Sequence, residues 1–425
     1  MQTKTVFFVC VKTRYEEPKV QNLEHWLARM SQFQARADDL SFTYFPQSYR
    51  WSHGLLIGLN SAPWGGAEIG EVHRIGLRLQ NCVGDDQAWF REWAREAADV
   101  EAKGREALAD GRRATAAGYL MRAANYYHVG ERFLHPKSDG LEAYRRGVES
   151  FRDAAACVTR PKIESVEIPF EGKTLPALLV HAEQRGGARR PAMVYFDGFD
   201  ITKEIQYFKG VADLAARGIT CLIVDGPGNG ESVRFRDMYL RYDTESYGTA
   251  AYEFLAARPD IDSKRIGVMA ISLGGYYAPR AASLEQRFAC CIAWGAQWDY
   301  HATWKERFEK LDRNTLLSLS VPWQHLLWIL NAKTRDEAMK KLENFRLDGV
   351  VQKMTCPFLL VHGEGDEQVP LSLAQHCFDR VGSKNKVLKV FTRAEGGYHH
   401  CQIDNASIGV AYMWDWLESV LEPQR

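Results

Sequence analysis

From about residue 163 onward, short apolar runs alternate with longer stretches of helical periodicity, such as residues 204–217, which we predict to be one helix. The runs lie at residues 192–196, 221–224, 266–271, 289–294, 358–361 and 387–391. Short, continuously apolar strands separated by helices indicate a parallel sheet that is covered by helices on both faces. Two earlier segments, residues 165–170 and 174–181, predict a hairpin that turns at Glu171 and Gly172. We therefore predict an α/β fold with a mostly parallel sheet flanked by helices.

The first 160 residues have a different pattern, in which apolar side chains recur every three or four positions. This spacing is clearest over residues 86–100, 117–134 and 141–157, and it is typical of amphipathic helices. Residues 5–12 are compatible with a strand, although the sequence shows no partner for it. We predict a mainly helical domain over residues 1–160 and an α/β domain over residues 161–425.

One interval of the second region interrupts the alternation of strands and helices. Residues 299–348 contain helical segments but no strand, and they carry several large aromatic side chains. An insertion at this point lies beside the carboxyl ends of the strands, where open α/β sheets bind their ligands. We therefore predict a helical insertion over about 299–348 near an active site.

Charge and composition limit the classes of partner. The chain has 54 basic and 54 acidic side chains, so it lacks the basic excess that phosphate binding needs. The early apolar run at residues 6–11 is too short to span a bilayer, and no small-residue cleavage site follows it. Nine cysteines without CxxC pairs are typical of reduced thiols. We expect a cytoplasmic protein with a small-molecule substrate, no nucleic-acid partner and no membrane partner.

Ser272 lies at the junction between a predicted strand and a predicted helix. The segment AISLGG at residues 270–275 follows the run 266–271 directly. A serine on such a sharp turn projects above the sheet, and the helix amino terminus behind it favours developing negative charge. Ala270 stands where the usual motif has its first glycine, but alanine is still small. We predict that Ser272 is a nucleophile; a purely structural turn is the alternative.

A nucleophilic serine needs a base, and that base needs an acid that fixes its tautomer. Asp366 follows the run 358–361 and is our candidate for the acid. Glu364 lies too close to the strand end, and Asp299 is a rival position after the preceding strand. The chain order Ser, Asp, His places each group at its own strand end, which favours Asp366.

The loop after the last strand carries the candidate base. Residues 395–401 read EGGYHHC, so two adjacent histidines compete for the role. Spacing alone does not separate them. We choose His400 and keep His399 as the fallback.

An earlier strand end supplies a candidate oxyanion hole. Residues 195–200 read YFDGFD, and Gly198 permits a backbone bend there. We predict that the backbone amides of Phe199 and Leu273 donate hydrogen bonds to a tetrahedral oxyanion. Such donors typically contribute about 3 kcal/mol each to transition-state stabilisation.

Two alternative sites fit the sequence less well. The glycine-rich loop DGPGNGES at residues 225–232 lacks the lysine of a P-loop and the spacing of a dinucleotide site, so we predict a structural turn. A metal site could be imagined from a set of acidic and histidine side chains, namely His362, Glu364, Asp366, His399 and His400. That set does not match a zinc-hydrolase spacing, and it leaves Ser272 without a role. We predict no cofactor and no metal.

Four short segments carry a resemblance to a known family. They are DGPGNGES at 225–232, ISLGGYY at 271–277, AWGAQWDY at 293–300 and HCQ at 400–402. With the order of Ser272, Asp366 and His400, they resemble the α/β-hydrolases, and among these the 2,6-dihydroxypseudooxynicotine hydrolase branch. That branch includes fungal hydrolases that shorten polyketide chains. The likeness extends from about residue 49 to the carboxyl end, and Asp197 departs from it, since many relatives have histidine there.

The resemblance implies an α/β-hydrolase core with a helical domain that closes over the active site, often in a homodimer. It also implies hydrolysis of a carbon–carbon bond next to a ketone, in an aromatic or polyketide-like molecule. The leaving carbanion would need a stabilising group such as a hydroxylated ring, and Trp298, Trp304 and Tyr126 are candidates for the pocket around it. An ester, lactone or amide hydrolase or an acyltransferase with the same triad remains an alternative, as does a non-catalytic binding protein.

Overall fold

An eight-stranded sheet dominates the computed structural model, which describes residues 42–183, 189–309 and 319–422. The predicted strand at residues 5–12, the start of the predicted helical domain and the middle of the predicted insertion fall outside these residues. The strands in chain order are β1 (Ile163–Phe170), β2 (Lys173–Val180), β3 (Arg190–Phe196), β4 (Thr220–Val224), β5 (Ile261–Ile271), β6 (Cys291–Trp294), β7 (Phe358–Gly363) and β8 (Lys386–Phe391).

The order of strands across the sheet is β1-β2-β4-β3-β5-β6-β7-β8, and every pair from β4 to β8 is parallel. The predicted hairpin is confirmed, because β1 and β2 pair antiparallel with Phe170 opposite Lys173. Glu171 and Gly172 both have positive φ angles, as a tight hairpin turn requires. The predicted α/β fold with a mostly parallel sheet is therefore confirmed.

Apolar layers cover both faces of the sheet. Along β3, Ala192, Val194 and Phe196 belong to one buried apolar cluster, while Met193 and Tyr195 belong to a second. Successive side chains of a strand point to opposite faces, so the two clusters lie on the two sides of the sheet. This double burial explains why the strands appear in the sequence as continuous apolar runs.

Helices precede the sheet, alternate with its strands and follow it. Within the described residues, five precede it: α1 (Tyr49–Leu59), α2 (Ile69–Leu79), α3 (Asp86–Ala109), α4 (Arg113–Glu131) and α5 (Gly140–Cys157). The helices between strands and at the end are α6 (Lys203–Tyr207), α7 (Val211–Ala216), α8 (Gly230–Arg236), α9 (Thr244–Ala256), α10 (Gly274–Leu284), α11 (Tyr300–Glu309), α12 (Gln324–Ile329), α13 (Arg335–Leu342), α14 (Leu371–Arg380) and α15 (Ala406–Leu421).

The helices α1 to α5 form the helical region, and the described residues from Phe42 onward belong to one compact unit. A domain boundary at residue 160 stays a prediction. Trp89 is fully buried in the helical region, where its ring packs on Trp51, Trp93 and Phe133. Its indole nitrogen also donates a hydrogen bond to the carbonyl of Val129, which joins α3 to α4.

No helix in the described parts of the chain is both long enough and apolar enough to cross a membrane.

The segment 204–217, expected as one helix, is divided into α6 and α7. Gly210 causes the break, because its φ of 75° is outside the helical region of the backbone map. A Cβ atom at this position would lie 2.5 Å from the side chain of Val410 in α15. The single-helix prediction was therefore wrong, because the backbone turns here to pack closely on a helix about 200 residues away.

The predicted insertion is helical where the structure describes it. Residues 299–309 and 319–348 contain α11, α12 and α13, and they add no strand to the sheet. The β-structure found there is one isolated bridge between Asp299 and Arg346.

Replacing Trp89 by alanine should lower the free energy of unfolding by about 3–5 kcal/mol, because the change leaves a large cavity in a buried aromatic cluster. The exposed side chain of Ile69, on α2, offers a matched control. Ile69→Ala should change the free energy of unfolding by less than about 0.5 kcal/mol. Urea denaturation followed by tryptophan fluorescence and circular dichroism measures both, and equal midpoints for the two variants would contradict the packing described here.

Candidate active site

Ser272 occupies a strained turn between β5 and α10. Its φ of 61° is unusual for a residue with a side chain, and its amide donates to the carbonyl of Trp294 at 2.8 Å. Small neighbours make the turn possible, since a Cβ atom at Gly274 would lie 2.3 Å from the Cβ of Ala270. This geometry is that of a nucleophile elbow, in which the serine hydroxyl stands clear of the sheet.

Hydrogen bonds join Ser272, His400 and Asp366 in one chain. Ser272 Oγ lies 2.8 Å from His400 Nε2, and His400 Nδ1 lies 2.7 Å from Asp366 Oδ2. The other carboxylate oxygen of Asp366 accepts from the amides of Gln368 and Val369 at 2.8 and 2.9 Å. Asp366 is thus held in place by the backbone, with one oxygen left to orient the imidazole.

The pKa values of His400 and Asp366 are shifted in opposite directions from their usual values. Burial by itself lowers the pKa of His400, but the Asp366 carboxylate outweighs this and raises the pKa well above its usual value. Burial raises the pKa of Asp366, and the charge of His400 outweighs this and lowers the pKa. His400 can therefore accept a proton from Ser272 while Asp366 remains ionised.

The other candidates for acid and base lie elsewhere. The ring of His399 packs against Tyr398 in a tilted arrangement, with ring centres 4.1 Å and planes 39° apart. Glu364 is exposed and accepts from the amide of Arg393, while Asp299 accepts from the amide of Ala302 in the first turn of α11. Among the described residues, the side-chain hydrogen bond of Ser272 is to His400 and to none of these three. The geometry therefore favours the choice of His400 and Asp366.

Leu273 follows the serine in sequence, and Phe199 follows Gly198, which lies against the serine turn. A Cβ atom at Gly198 would come within 2.8 Å of the carbonyl oxygen of Ile271 and 3.1 Å of Ser272 Cβ, so the loop after β3 touches the nucleophile turn. Within the described residues, the amides of Phe199 and Leu273 donate to no protein acceptor. Two amides beside a serine hydroxyl are the arrangement that an oxyanion hole needs.

Three side chains hold the loop formed by residues 197–200, which we call the oxyanion loop. Asn229 donates from Nδ2 to the carbonyl of Gly198 at 2.7 Å, and His325 Nε2 lies 3.2 Å from the carbonyl of Phe199. Burial lowers the pKa of His325 to about 4, so its ring is neutral at physiological pH. Arg132 forms a buried ion pair with Asp200.

Sequence reasoning missed these three holding residues. Asn229 belongs to the glycine-rich loop that we predicted to be a structural turn. In the sequence it is simply a polar residue between two glycines. The turn is present, and it also fixes the oxyanion loop. Neither Arg132 nor His325 carried a sequence signal, since each acts through a contact that only the folded chain creates.

Asp197, the departure from the family pattern, is buried and has a raised pKa. Burial and the nearby Asp225 carboxylate raise the pKa of Asp197 well above its usual value. Asp225 itself is ionised beside Lys203, whose ammonium group lies 2.9 Å from it. The raised pKa favours the protonated, uncharged form of Asp197 at the start of the oxyanion loop.

The three predicted pocket residues lie in different surroundings. Trp304 is buried on α11 with its ring 6.0 Å from the ring of Phe199. Trp298 packs against His376 on α14. Tyr126 is buried inside the helical region, where its hydroxyl donates to Glu71 at 2.7 Å. Trp304 contacts the oxyanion loop through Phe199, and the pocket assignment stays a prediction for all three residues.

Metal-ligating side chains are not clustered in the parts of the chain that the structure describes. No group of three or more histidine, cysteine, aspartate or glutamate side chains is arranged there to hold a metal ion. His362, one of the residues considered above, has its Nε2 atom 2.9 Å from the carbonyl of Val369.

Two family models match this chain, and each covers just over half of its 425 residues. The model of the prolyl oligopeptidase family matches residues 205–424, which include Ser272, Asp366 and His400. The model of FrsA-like esterases matches residues 79–313. The chain belongs to the α/β-hydrolase superfamily.

Individual hydrolases are similar over much of the chain. A 20-hydroxy-prefusarin hydrolase from Gibberella moniliformis is 28% identical, over 86% of this chain and 95% of its own. A 2,6-dihydropseudooxynicotine hydrolase from Paenarthrobacter nicotinovorans is 29% identical, over 65% of this chain and 69% of its own. These similarities support the resemblance to this hydrolase branch that the four sequence motifs indicated.

The crystal structure of a 2,6-dihydroxy-pseudo-oxynicotine hydrolase has the same fold. Its TM-score to this hydrolase is 0.70 at 24% identity, and the match covers 85% of this chain and 95% of that chain. The sheet begins at residue 163, and residues 163–425 alone are too few to make up 85% of this chain. The match therefore includes the helical region as well as the sheet.

Replacing Gly198 by alanine should slow acylation of Ser272 by about 10- to 100-fold, because the added methyl group forces the Phe199 amide away from the serine. Gly118→Ala is the control, since a Cβ atom there meets no atom closer than 4.0 Å. The rate of labelling by a fluorophosphonate measures both, and a Gly198→Ala variant that labels as fast as the control would contradict the proposed oxyanion hole.

The pH dependence of acylation should depend on Asp366. Acylation needs a neutral Nε2 on His400, so the rate should fall as the pH drops through the pKa of His400, which the carboxylate raises above 6.5. Asp366→Asn should move this acid limb to lower pH and reduce the plateau by about 10⁴-fold.

The exposed Glu364 provides the control for that experiment, as Glu364→Gln changes a nearby carboxylate that does not contact His400. Its acid limb should match that of the unmodified protein. An unchanged acid limb in Asp366→Asn, measured over pH 5 to 9, would show that another group orients the histidine.

Proposed function

We propose that this α/β-hydrolase is a serine enzyme that cleaves a carbon–carbon bond next to a ketone in an aromatic or polyketide-like small molecule. The observation that carries the proposal is the hydrogen-bond chain from Ser272 through His400 to Asp366, together with two backbone amides that have no acceptor among the described residues. Nucleophile, base, orienting acid and oxyanion donors are the groups that acyl transfer requires.

Acylation begins when Ser272 Oγ attacks the carbonyl carbon of the substrate while its proton passes to His400 Nε2. The amides of Phe199 and Leu273 bind the negative oxygen of the tetrahedral intermediate. The carbon–carbon bond then breaks, its electron pair stays on the leaving carbon, and that carbon takes the proton from His400. The acyl group remains on Ser272 as an ester.

Deacylation repeats these steps with water. His400 removes a proton from a water molecule, whose oxygen attacks the acyl ester, and the same proton returns to Ser272 as the carboxylic acid leaves. Asp366 stays ionised throughout and stabilises the imidazolium form, in keeping with the raised pKa of His400. The reaction consumes water and needs no cofactor.

The substrate class rests on the similar hydrolases. One acts on 20-hydroxy-prefusarin and another on 2,6-dihydropseudooxynicotine. A carbanion is a poor leaving group unless its charge spreads into a conjugated or hydroxylated system, so the ketone must be joined to such a group. We propose that aromatic side chains such as Trp304 bind that part of the substrate, and that the enzyme works as a homodimer, as the branch resemblance implies.

An ester hydrolase is the second candidate function. The match of residues 79–313 to FrsA-like esterases favours it. Both reactions pass through the same acyl-enzyme and differ in the leaving group, which takes its proton from His400 in either case. The site chemistry described above therefore serves both.

A fluorophosphonate probe tests the nucleophile, because it forms a covalent bond with an activated serine. The unmodified protein should be labelled and Ser272→Ala should not. Ser283→Ala is the control, since Ser283 is a buried serine of α10 whose hydroxyl donates to the carbonyl of Pro279. Labelling that survives in Ser272→Ala would refute the central assignment.

Matched substrates separate the two functions. An aryl ketone with ortho-hydroxyl groups and the ester with the same acyl group give the same acid product but different leaving groups. We expect mass spectrometry to find the acid and the hydroxylated arene from the ketone. Turnover of the ester alone, across a panel of such pairs, would favour the esterase.

A further inference from the structure

The helical region contacts three separate loops of the active site. Arg132, just beyond α4, pairs with Asp200 in the oxyanion loop. Asn60, at the end of α1, donates from Nδ2 to the carbonyl of Ile403 at 2.7 Å. Tyr49, at the start of α1, accepts from Gln368 Nε2 at 3.1 Å. Each loop follows a different strand, β3, β8 or β7, and each carries one part of the proposed machinery.

The contact between Arg132 and Asp200 is the most deeply buried of the three. The side chains are 3% and 8% exposed, so the ion pair is almost entirely removed from water. A buried charge that loses its partner is strongly unfavourable, which means that Asp200 must stay where Arg132 holds it. Asp200 follows Phe199 directly in the chain. The ion pair between Arg132 and Asp200 therefore fixes the backbone on the carboxyl side of Phe199, whose amide is a proposed oxyanion donor.

Asn60 acts on the loop of the histidine. Ile403, whose carbonyl it binds, donates its own amide to the carbonyl of His400 at 3.1 Å. The other end of the Asn60 side chain accepts from Lys209 Nζ at 3.3 Å. The amide of Asn60 thus bridges the hydrolase core and the turn that carries His400.

Tyr49 acts on the loop of the acid. Its hydroxyl fixes the side chain of Gln368, and the backbone amide of Gln368 donates to Asp366 Oδ1 at 2.8 Å. Tyr49 also stacks on His53, with ring centres 5.5 Å apart and planes 18° apart, which orients the phenol.

We propose that Tyr49, Asn60 and Arg132 are positioning residues, by which the helical region sets the geometry of the acid, the base and the oxyanion hole. The helical region is then part of the acylation machinery and more than a cover over the substrate. This inference rests on the proposed function of Ser272, His400 and Asp366. If these residues position the site, substituting them slows the acylation of Ser272 even by a reagent that is too small to be bound by the helical region.

The test uses p-nitrophenyl acetate and a small alkyl fluorophosphonate on the full chain. Asp200→Asn keeps the shape of the side chain and removes its charge, and Arg132→Met removes the other partner. Each should lower kcat for the acetate and the phosphonylation rate at least about tenfold, with KM changed less than about threefold, because positioning affects the transition state more than binding. The double variant should be no slower than the slower single one, since both act through one contact.

Arg234→Met is the matched control for loss of a buried ion pair. Arg234 pairs with Glu131, also at the end of α4, and these side chains are 7% and 3% exposed, but neither lies in a loop of the active site. This variant should be comparably destabilised on heating and should keep the acylation rate within about twofold, because it leaves the catalytic geometry intact. Asn60→Ala, which disturbs no ion pair, is a second variant expected to slow acylation at least about fivefold through the His400 loop.

The outcomes separate this inference from the proposed function. If the unmodified protein is not labelled at Ser272, the proposed function fails. If it is labelled, but folded Asp200→Asn and Asn60→Ala react with the small reagents at the unmodified rate, the helical region is only a cover. Slowing of Arg234→Met equal to that of Asp200→Asn would also overturn the inference, because the effect would then be general destabilisation.

Discussion

The hydrogen bonds from Ser272 to His400 and from His400 to Asp366 require three loops to meet within a few ångströms. The sheet makes this possible, because β5, β6, β7 and β8 are adjacent and parallel and their carboxyl ends form one edge. Ser272 follows β5, Asp366 follows β7 and His400 follows β8. Any slip in strand register would separate the groups, so the apolar layers that fix the register also hold the site together.

The sheet places the loops of the site only approximately, and a second set of contacts fixes their positions more closely. Asn229, His325 and Arg132 reach the oxyanion loop from the turn after β4, from α12 and from the end of α4. The turn with His400 is tied to β6, since the indole of Trp294 donates to Gln402 Oε1 at 2.7 Å. Several distant segments thus converge on a few peptide groups, as expected of a site that stabilises charge with donors already in place.

The arrangement of the candidate triad was predictable from sequence, but the contacts that hold it were not. Ser272, Asp366 and His400 follow apolar runs that have the length of buried strands, and parallel topology then brings them to one edge. Arg132 is 68 residues from Asp200, and His325 is 126 residues from Phe199, so no local pattern links them. The break at Gly210 was missed for the same reason, because it depends on Val410 in a distant helix.

A crystal structure of the protein after reaction with a small fluorophosphonate tests the central claim most directly. The adduct places a phosphonyl oxygen where the oxyanion of a tetrahedral intermediate would be. We predict phosphorus bonded to Ser272 Oγ, and that oxygen about 2.7–3.1 Å from the amides of Phe199 and Leu273. Phosphorus on another residue, or an oxygen directed away from both amides, would contradict the proposed nucleophile and oxyanion hole.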